Sequence, residues 1–282
     1  MITCNLMGGL GNQLFQIFAT ISYAIKSNNK FCFLAQEQLG SGDNVTIRYT
    51  FWKSFLSRLR PFLIGTLPNH YVMRENNFTY NELPVNKMIN NNIMIFGYFQ
   101  SYKYFQDNYN IICRMIGLDK MREVLLSKIN LTPEQLTNHV SMHFRIGDYK
   151  KIQHVHPLAT YNYYEGSLTY IQKVHQDKPF TVLYFCEEVD IADVTETINK
   201  LLKKFPNYKF IRDNNNLADW EQMLLMSCCH HNIIANSSFS WWGAYFNSAT
   251  DKIVCYPSVW FGEMTHHDTK DLCPQEWKRV SV

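Results

Sequence analysis

The second half of the chain alternates short apolar segments with amphipathic ones, and this alternation constrains the fold more than any other feature. Val140, Met142 and Phe144 alternate as in a strand, and residues 180–186 form the continuous apolar run typical of a parallel sheet. Residues with helical spacing occupy 161–175, 190–204 and 219–229. Strands that alternate with helices of this length indicate βαβ units and a parallel sheet.

A similar series opens the chain. Residues 1–7 alternate as a strand, 8–12 form a Gly-rich turn, and 13–27 carry apolar residues at helical spacing. Residues 38–92 are irregular and predict loops with some helix. We therefore expect an α/β protein of two Rossmann-like, doubly wound domains that face one another. The predicted N-terminal domain covers 1–132 and the C-terminal domain 133–282.

Composition excludes several classes of protein. The net charge of +3 is mild and no basic block occurs, which argues against a nucleic-acid partner. No apolar run approaches the roughly 18 residues of a membrane span, and the N-terminus lacks the features of a signal peptide. We expect a cytoplasmic protein without a transmembrane segment, with peripheral membrane attachment left open. The eight cysteines include no CxxC pair, so no zinc site is expected.

The segment from Asn232 to Gly243 is a candidate anion site. Residues 232–235 predict a buried strand, and Trp241 predicts the start of the next helix. Ligands of open α/β sheets bind outside the carboxyl ends of strands, and backbone N–H groups at a helix start suit a phosphate. The intervening loop would supply the donors, namely Asn236, Ser237, Ser238, Phe239 and Ser240.

The sequence HFRIGDY at 143–149 is a second candidate site, because it begins in a strand and ends in a loop. Arg145 is suited to bidentate binding of a diphosphate. Gly147 lets the backbone bend close to a ligand. Asp148 has three open roles: it orients His143, holds the loop, or acts on substrate.

The Gly-rich turn at 8–13 suggests a ligand near the N-terminus. The dinucleotide fingerprint GxGxxG is absent, and so is the acidic residue expected about 20 positions on, so an NAD-dependent enzyme is disfavoured. We interpret this segment instead as a turn at which the backbone and Asn12 approach a substrate.

Taken together, the motifs resemble those of the α-1,2-fucosyltransferases, the family of the blood-group H-type enzymes and their bacterial and viral relatives. They are GGLGNQLFQ at 8–16, GYFQSYKYF at 97–105, HFRIGDY at 143–149 and LMSCCHHNIIANSSFSWWGAYFN at 225–247. The resemblance covers most of the chain except about 38–92. It implies a GT-B-like fold and an inverting glycosyltransferase. L-Fucose would pass from GDP-β-L-fucose to the 2-hydroxyl of a terminal β-galactoside.

The resemblance also implies roles for residues. Arg145 would bind the diphosphate and assist the leaving GDP, with Asn12 near the reacting sugar and His143 and Asp148 supporting the site. Asp148 is the first candidate for the catalytic base and His143 the second. Further donor-side candidates are Gly9, Gly11, Glu188, Glu221 and the loop 236–240, and acceptor-side candidates are Gln13, Tyr98, Gln100 and His156.

One departure from the family pattern and one missing motif have consequences. Many relatives carry a second arginine where this chain has Ile146, which predicts weaker donor binding. No DxD motif occurs, so we expect no metal or other cofactor, and fixed donors must offset the charge on the leaving diphosphate.

Other functions stay open at this stage. Another GDP-sugar transferase, such as an α-1,6-type enzyme, would share the HxR arrangement, although the NSSFSWW and GYFQS motifs disfavour it. A non-catalytic nucleotide-sugar or glycan-binding protein would bind the donor without transferring sugar to any acceptor.

Overall fold

The computed structural model describes residues 1–40, 46–85, 92–213 and 215–282. The chain forms two compact units, the first of Met1–Lys120 with His267–Pro274 and the second of Met121–His266 with Gln275–Val282. This division precedes the predicted boundary at 132, and the return of 267–274 to the first unit was not predicted. Asp271 explains the return. Its carboxylate accepts the Tyr80 N–H at 3.1 Å, and its carbonyl accepts the Ser101 hydroxyl at 2.6 Å.

The first unit is built around a parallel sheet of three strands in the order β1-β7-β6, flanked by two short strand pairs, parallel β2 with β5 and antiparallel β3 with β4. The strands are β1 Ile2–Cys4, β2 Phe33–Leu34, β3 Gln38–Leu39, β4 Arg48–Tyr49, β5 Leu63–Ile64, β6 His70–Arg74 and β7 Asn92–Phe96. The long helix α1 (Leu10–Lys26) follows β1, and α2 (Tyr109–Ile116) follows β7. Leu14, Ile17 and Phe18 of α1 are fully buried.

The second unit contains a six-stranded sheet in the order β10-β9-β8-β11-β12-β13, with every neighbouring pair parallel. The strands are β8 His139–His143, β9 Thr181–Phe185, β10 Lys209–Arg212, β11 His231–Ile233, β12 Val254–Pro257 and β13 Lys278–Val280. Val140, Val182 and Ile233 are wholly buried and form part of the core. Burial on both faces explains why these strands read as continuous apolar runs.

Helices cover this sheet. They are α5 Tyr161–Val174, α6 Ile191–Lys204, α7 Asp219–Cys228 and α8 Ser238–Phe246, and α3 Leu118–Lys128 and α4 Pro133–Leu136 precede the first strand. None of the helices in the described ranges is both long and apolar enough to cross a membrane. The alternation of strands and helices, and hence the α/β class with a parallel sheet, is confirmed.

Several predicted boundaries are wrong. The helix after β11 begins at Ser238 rather than Trp241, because the Ser237 hydroxyl caps it by accepting the Phe239 N–H at 3.3 Å. In the first unit, β7 ends at Phe96, and Phe99 adopts a positive φ of 52°. The predicted irregular segment contains four short strands, β3 to β6, while its residues 41–45 and 86–91 lie outside the described residues.

Candidate functional site

The strand order of the second unit locates a binding site. The crossovers from β8 and from β11 run to opposite sides, so the order reverses between these two neighbouring strands. In open parallel sheets ligands bind at this reversal, outside the carboxyl ends of the strands. Strand β8 ends at His143 and β11 ends at Ile233. The two loops that carry Arg145 and Asn236 therefore leave the sheet side by side, at the position where a ligand is expected.

Contacts between these loops confirm that they are adjacent. The imidazole of His143 and the ring of Phe239 have centroids 5.6 Å apart. The Tyr149 hydroxyl donates to the Asn236 carbonyl at 3.4 Å. The sequence motifs at 143–149 and 236–240 thus form one site, which we call the switch-point site.

Arg145 is the principal cation of the switch-point site. Its side chain is 23% exposed and pairs with Asp148 at 2.5 Å and with Glu187. Its guanidinium lies 4.9 Å from the centre of the Tyr149 ring. Two carboxylates and an aromatic face therefore hold the guanidinium in place while leaving part of it accessible. Asp148 pairs with Arg145, and its three predicted roles, to orient His143, to hold the loop or to act on substrate, stay predictions.

The loop that follows Arg145 is tightly fixed. Gly147 adopts a φ of 29°, and its N–H donates to the buried carboxylate of Asp190 at 2.7 Å. A Cβ at Gly147 would lie 3.2 Å from the Glu187 carboxylate, so a side chain there would crowd the Arg145 ion pair. His156 stacks on Tyr149 with centroids 4.6 Å apart, which places this predicted acceptor residue one ring away from Arg145.

The N-terminus of α8 forms the other side of the site. Helices leave their first N–H groups without intrahelical partners, and these groups carry partial positive charge. Ser238 and Phe239 lie in the first turn and are partly exposed. Asn236, Ser237 and Ser240 are buried. The Asn236 side chain donates to the carbonyls of Pro157 and Trp260 at 2.8 and 3.1 Å, so it fixes neighbouring loops.

His143 is buried and uncharged. Burial and the nearby Arg145 charge lower the pKa of its imidazole to about 3. Among the described residues, no hydrogen-bond partner is found for its Nδ1 or for the buried Oδ1 of Asn236. Buried polar atoms in native proteins are almost always paired. Two such atoms on the two loops of one site are consistent with a polar ligand that satisfies them.

Glu188 and Glu221 are both engaged elsewhere. Glu188 follows β9, pairs with Arg212 and is largely exposed. Glu221 lies in the first turn of α7, where its carboxylate accepts the Ala218 N–H at 2.9 Å and pairs with Lys128 at 2.6 Å. Their proposed contacts to a donor base stay predictions. No group of three or more His, Cys, Asp or Glu side chains is arranged to hold a metal within the described part of the chain.

In the first unit, the turn before α1 brings three candidate residues together. Asn12 accepts the Gln100 side-chain N–H at 2.8 Å. Gly8 has a φ of 74°, and a Cβ there would lie 2.5 Å from the Asn12 amide, so glycine is required under this side chain. Gly9 caps the helix, and a Cβ there would meet nothing within 4 Å. The turn therefore offers an open backbone beside an oriented amide.

The remaining candidates of the first unit differ in exposure. Gln13 is fully buried and its amide donates to the carbonyls of Gly8 and Tyr49 at 3.0 and 2.9 Å, so it supports the turn from behind. Gly11 is also buried, whereas Tyr98 is 40% exposed. Of these, Tyr98 has the surface that direct contact with an acceptor would need.

Four aromatic residues of α5 and α8 are packing residues. Tyr163 and Tyr164 are buried, and their hydroxyls donate to backbone carbonyls of Ile234, Cys255 and His143. Trp241 and Trp242 are also wholly buried.

Glu187 is the site residue that the sequence did not reveal. Only its neighbour Glu188 was proposed. The parallel register pairs His143 with Phe185, and extending it by two residues places Arg145 beside Glu187. Strand pairing would have identified it, but pairing is not visible in a single sequence.

Comparisons with known proteins found relatives of this chain. The chain is 28% identical over 307 positions to an alpha-1,2-colitosyltransferase of Escherichia coli, with 99% of each chain covered. It is 30% identical over 181 positions to the O-antigen biosynthesis glycosyltransferase WbnK of Escherichia coli, covering 61% of this chain and 57% of that protein. A mutant of Arabidopsis thaliana FUT1 in complex with GDP superposes with a TM-score of 0.46 at 10% identity, over 90% of this chain and 69% of that one.

The sequence match defines the class of the protein, which is a glycosyltransferase. The family model for glycosyl transferase family 11 matches residues 1–280. The chain belongs to glycosyl transferase family 11.

Proposed function

We propose that the protein is a galactoside α-1,2-fucosyltransferase that takes L-fucose from GDP-β-L-fucose. The observation that carries the proposal is the position of Arg145 and the start of α8 at the strand-order reversal. A guanidinium and a helix N-terminus both favour a diphosphate, and together they match the charge of a nucleoside diphosphate. The donor would lie on the second unit.

In this proposal the reaction is a single displacement with inversion. The acceptor 2-hydroxyl oxygen attacks C1 of the fucose while the bond from C1 to the diphosphate oxygen breaks. GDP departs with the bonding electron pair, and a base takes the hydroxyl proton. The β-linked donor thereby gives an α-linked product.

Charge on the departing GDP must be offset by groups that are already in place. Arg145 and the N–H groups of α8 would supply this without a metal ion. Arg145 would first exchange its bonds to Asp148 and Glu187 for bonds to the diphosphate. Until the donor binds, the two ion pairs keep the guanidinium oriented.

The identity of the base stays a proposal. Asp148 has the ordinary chemistry of a general base, but its 2.5 Å pair with Arg145 supports a positioning role at the diphosphate. His143 would be neutral at pH 7, since its pKa is lowered to about 3. A neutral imidazole can accept a hydrogen bond, but it is a weak proton acceptor at that pKa.

The acceptor would be a glycan with a terminal β-galactose, bound by the first unit. Support comes from the Asn12–Gln100 pair beside an open glycine turn and from the exposed Tyr98. The GT-B-like arrangement of the two units, implied by the family resemblance, belongs to the same proposal.

A second donor is a specific alternative. The E. coli relative that matches along its whole length is named a colitosyltransferase, and colitose is fucose without its 3-hydroxyl. A pocket that hydrogen-bonds this hydroxyl would reject colitose strongly, whereas one that does not would accept both sugars.

The test is a pair of parallel incubations, with GDP-fucose and with GDP-colitose, in the presence of EDTA. Acceptors are lactose, N-acetyllactosamine, lacto-N-biose and free galactose, with products read by mass spectrometry and linkage analysis. An α-1,2-linked fucoside on galactose would support the proposal, and a preference for GDP-colitose would replace the donor. Donor binding without transfer to any acceptor would indicate a binding protein.

A further inference from the structure

The first unit contains a cavity of 460 Å³. Its floor is one face of the β6–β7 pair, formed by Tyr71, Met73 and Ile93. Its wall is the loop that follows β6, and Phe99 and Tyr104 close one end. The volume falls within the range of about 300–1,000 Å³ that is usual for small-molecule sites.

The chemistry of the lining points to a neutral, polyhydroxylated ligand. Glu75, Glu82, Asn76 and Asn81 supply carboxylate and amide groups, against the single guanidinium of Arg74. Two carboxylates against one cation disfavour a diphosphate. Tyr71 is 64% exposed and offers an aromatic face, which packs well on the apolar face of a sugar ring while the hydroxyls reach the polar groups.

The cavity wall is braced. Both oxygens of Glu75 accept backbone N–H groups, from Tyr98 at 2.8 Å and from Phe99 at 3.1 Å. The Asp271 carboxylate holds the Tyr80 N–H, and His267 stacks on Phe78 with centroids 4.8 Å apart. The returning segment 267–274 thus supports the loop that forms the wall.

One lining residue of the cavity is the chain neighbour of a candidate acceptor residue. Phe99 lines it, and the next residue, Gln100, donates to Asn12 at 2.8 Å. A glycan whose terminal galactose lies at Asn12 would extend its next sugar toward Tyr71.

We propose that this cavity is the subsite for the penultimate sugar of the acceptor, with Tyr71 as its stacking platform. The inference rests on the proposed transfer to a terminal β-galactoside. It makes the residues that line this cavity in the first unit the determinant of preference for disaccharide acceptors over single sugars.

The test compares N-acetyllactosamine with methyl β-D-galactopyranoside as acceptors. Tyr71→Ala should raise KM for the disaccharide about tenfold and leave KM for the monosaccharide unchanged. Tyr71→Phe keeps the ring and should restore the wild-type value. The control is Val72→Ala, which alters the same strand on the opposite face and should change neither KM.

Binding of N-acetyllactosamine is measured separately by saturation-transfer NMR with GDP present, so that the result does not depend on turnover. Loss of binding in Tyr71→Ala but not in Tyr71→Phe supports the subsite, even if the wild type transfers no fucose and the proposed function fails. Equal binding by wild type and Tyr71→Ala, equal KM for the disaccharide, or no binding by the wild type would overturn it.

Discussion

Arg145 is surrounded by two acidic side chains, and this arrangement defines what each of them can do. A base in an inverting displacement must lie on the face of the sugar opposite the diphosphate. Asp148 pairs at 2.5 Å with the very cation that would bind the diphosphate. Its place therefore favours positioning Arg145 over proton removal.

Asp148→Asn separates these two roles. Loss of a general base typically lowers kcat by about 10²–10⁴-fold at little change in donor KM. We expect the other pattern, in which kcat falls less than about tenfold and donor KM changes because Arg145 loses one of its charged partners. Steady-state kinetics with GDP-fucose measure both constants, and a loss of kcat of a hundredfold or more at constant KM would restore Asp148 as the base.

Ile146 replaces the second arginine of many relatives, and the structure shows what that exchange involves. Ile146 is partly buried and packs against the core of the second unit. Ile146→Arg should lower donor KM by roughly fivefold or more. A charged hydrogen bond contributes about 1.5–3 kcal/mol, and the loss of the isoleucine packing offsets only part of this. Ile146→Gln serves as the uncharged control. A donor KM that does not decrease, in a variant whose melting temperature is unchanged, contradicts the prediction.

At the scale of elements, α8 has a stabilising side chain at each end. The Ser237 hydroxyl caps it, and at its other end Lys252 donates to the Ala244 and Asn247 carbonyls at 3.0 and 2.5 Å. Burial lowers the pKa of this lysine to about 8. The helix is thus held at both ends, with its N-terminus at the switch-point site.

Ser237→Ala should lower the free energy of unfolding by about 1 kcal/mol, the usual effect of losing an N-cap. Ser238→Ala, one residue later in the exposed first turn, should leave stability within about 0.5 kcal/mol of wild type. Denaturant unfolding of both variants checks this. Equal stability losses would show that Ser237 is not the cap.

The sequence predicts those features of the fold that leave a pattern within one strand or helix, and not those that depend on contacts between distant segments. Periodicity identified the strands and helices of the second unit apart from β13, because their apolar faces repeat along the chain. It missed β6, whose sequence HYVMR lies at a sheet edge and is half exposed. It also missed Glu187 and the returning segment 267–274, since both depend on contacts between residues far apart in sequence.

At the scale of the molecule, two buried histidines predict how stability varies with pH. Burial lowers the pKa of both His143 and His231 to about 3, and His175, His230, Asp251 and Lys178 act electrostatically on His231. The unfolded chain binds these protons near pH 6.5, whereas the folded chain does not. Stability is therefore fully present above pH 6.5 and falls as the pH decreases toward 3.

The expected loss is about 1.4 kcal/mol per pH unit for each histidine below pH 6.5. Denaturant unfolding at pH 7 and pH 5 measures it, and His231→Asn should reduce the slope by about half. A slope that is the same in wild type and variant would show that His231 binds its proton equally well in the folded and unfolded states.

The proposed function requires that the strand-order reversal of the second unit binds guanosine diphosphate through Arg145. Isothermal titration calorimetry of GDP against the full chain and Arg145→Gln tests it directly. We predict that the wild type binds GDP and that the variant binds at least about tenfold more weakly, because a charged pair to the diphosphate is lost. Equal affinity in the two proteins, or no GDP binding by the wild type, would contradict the account.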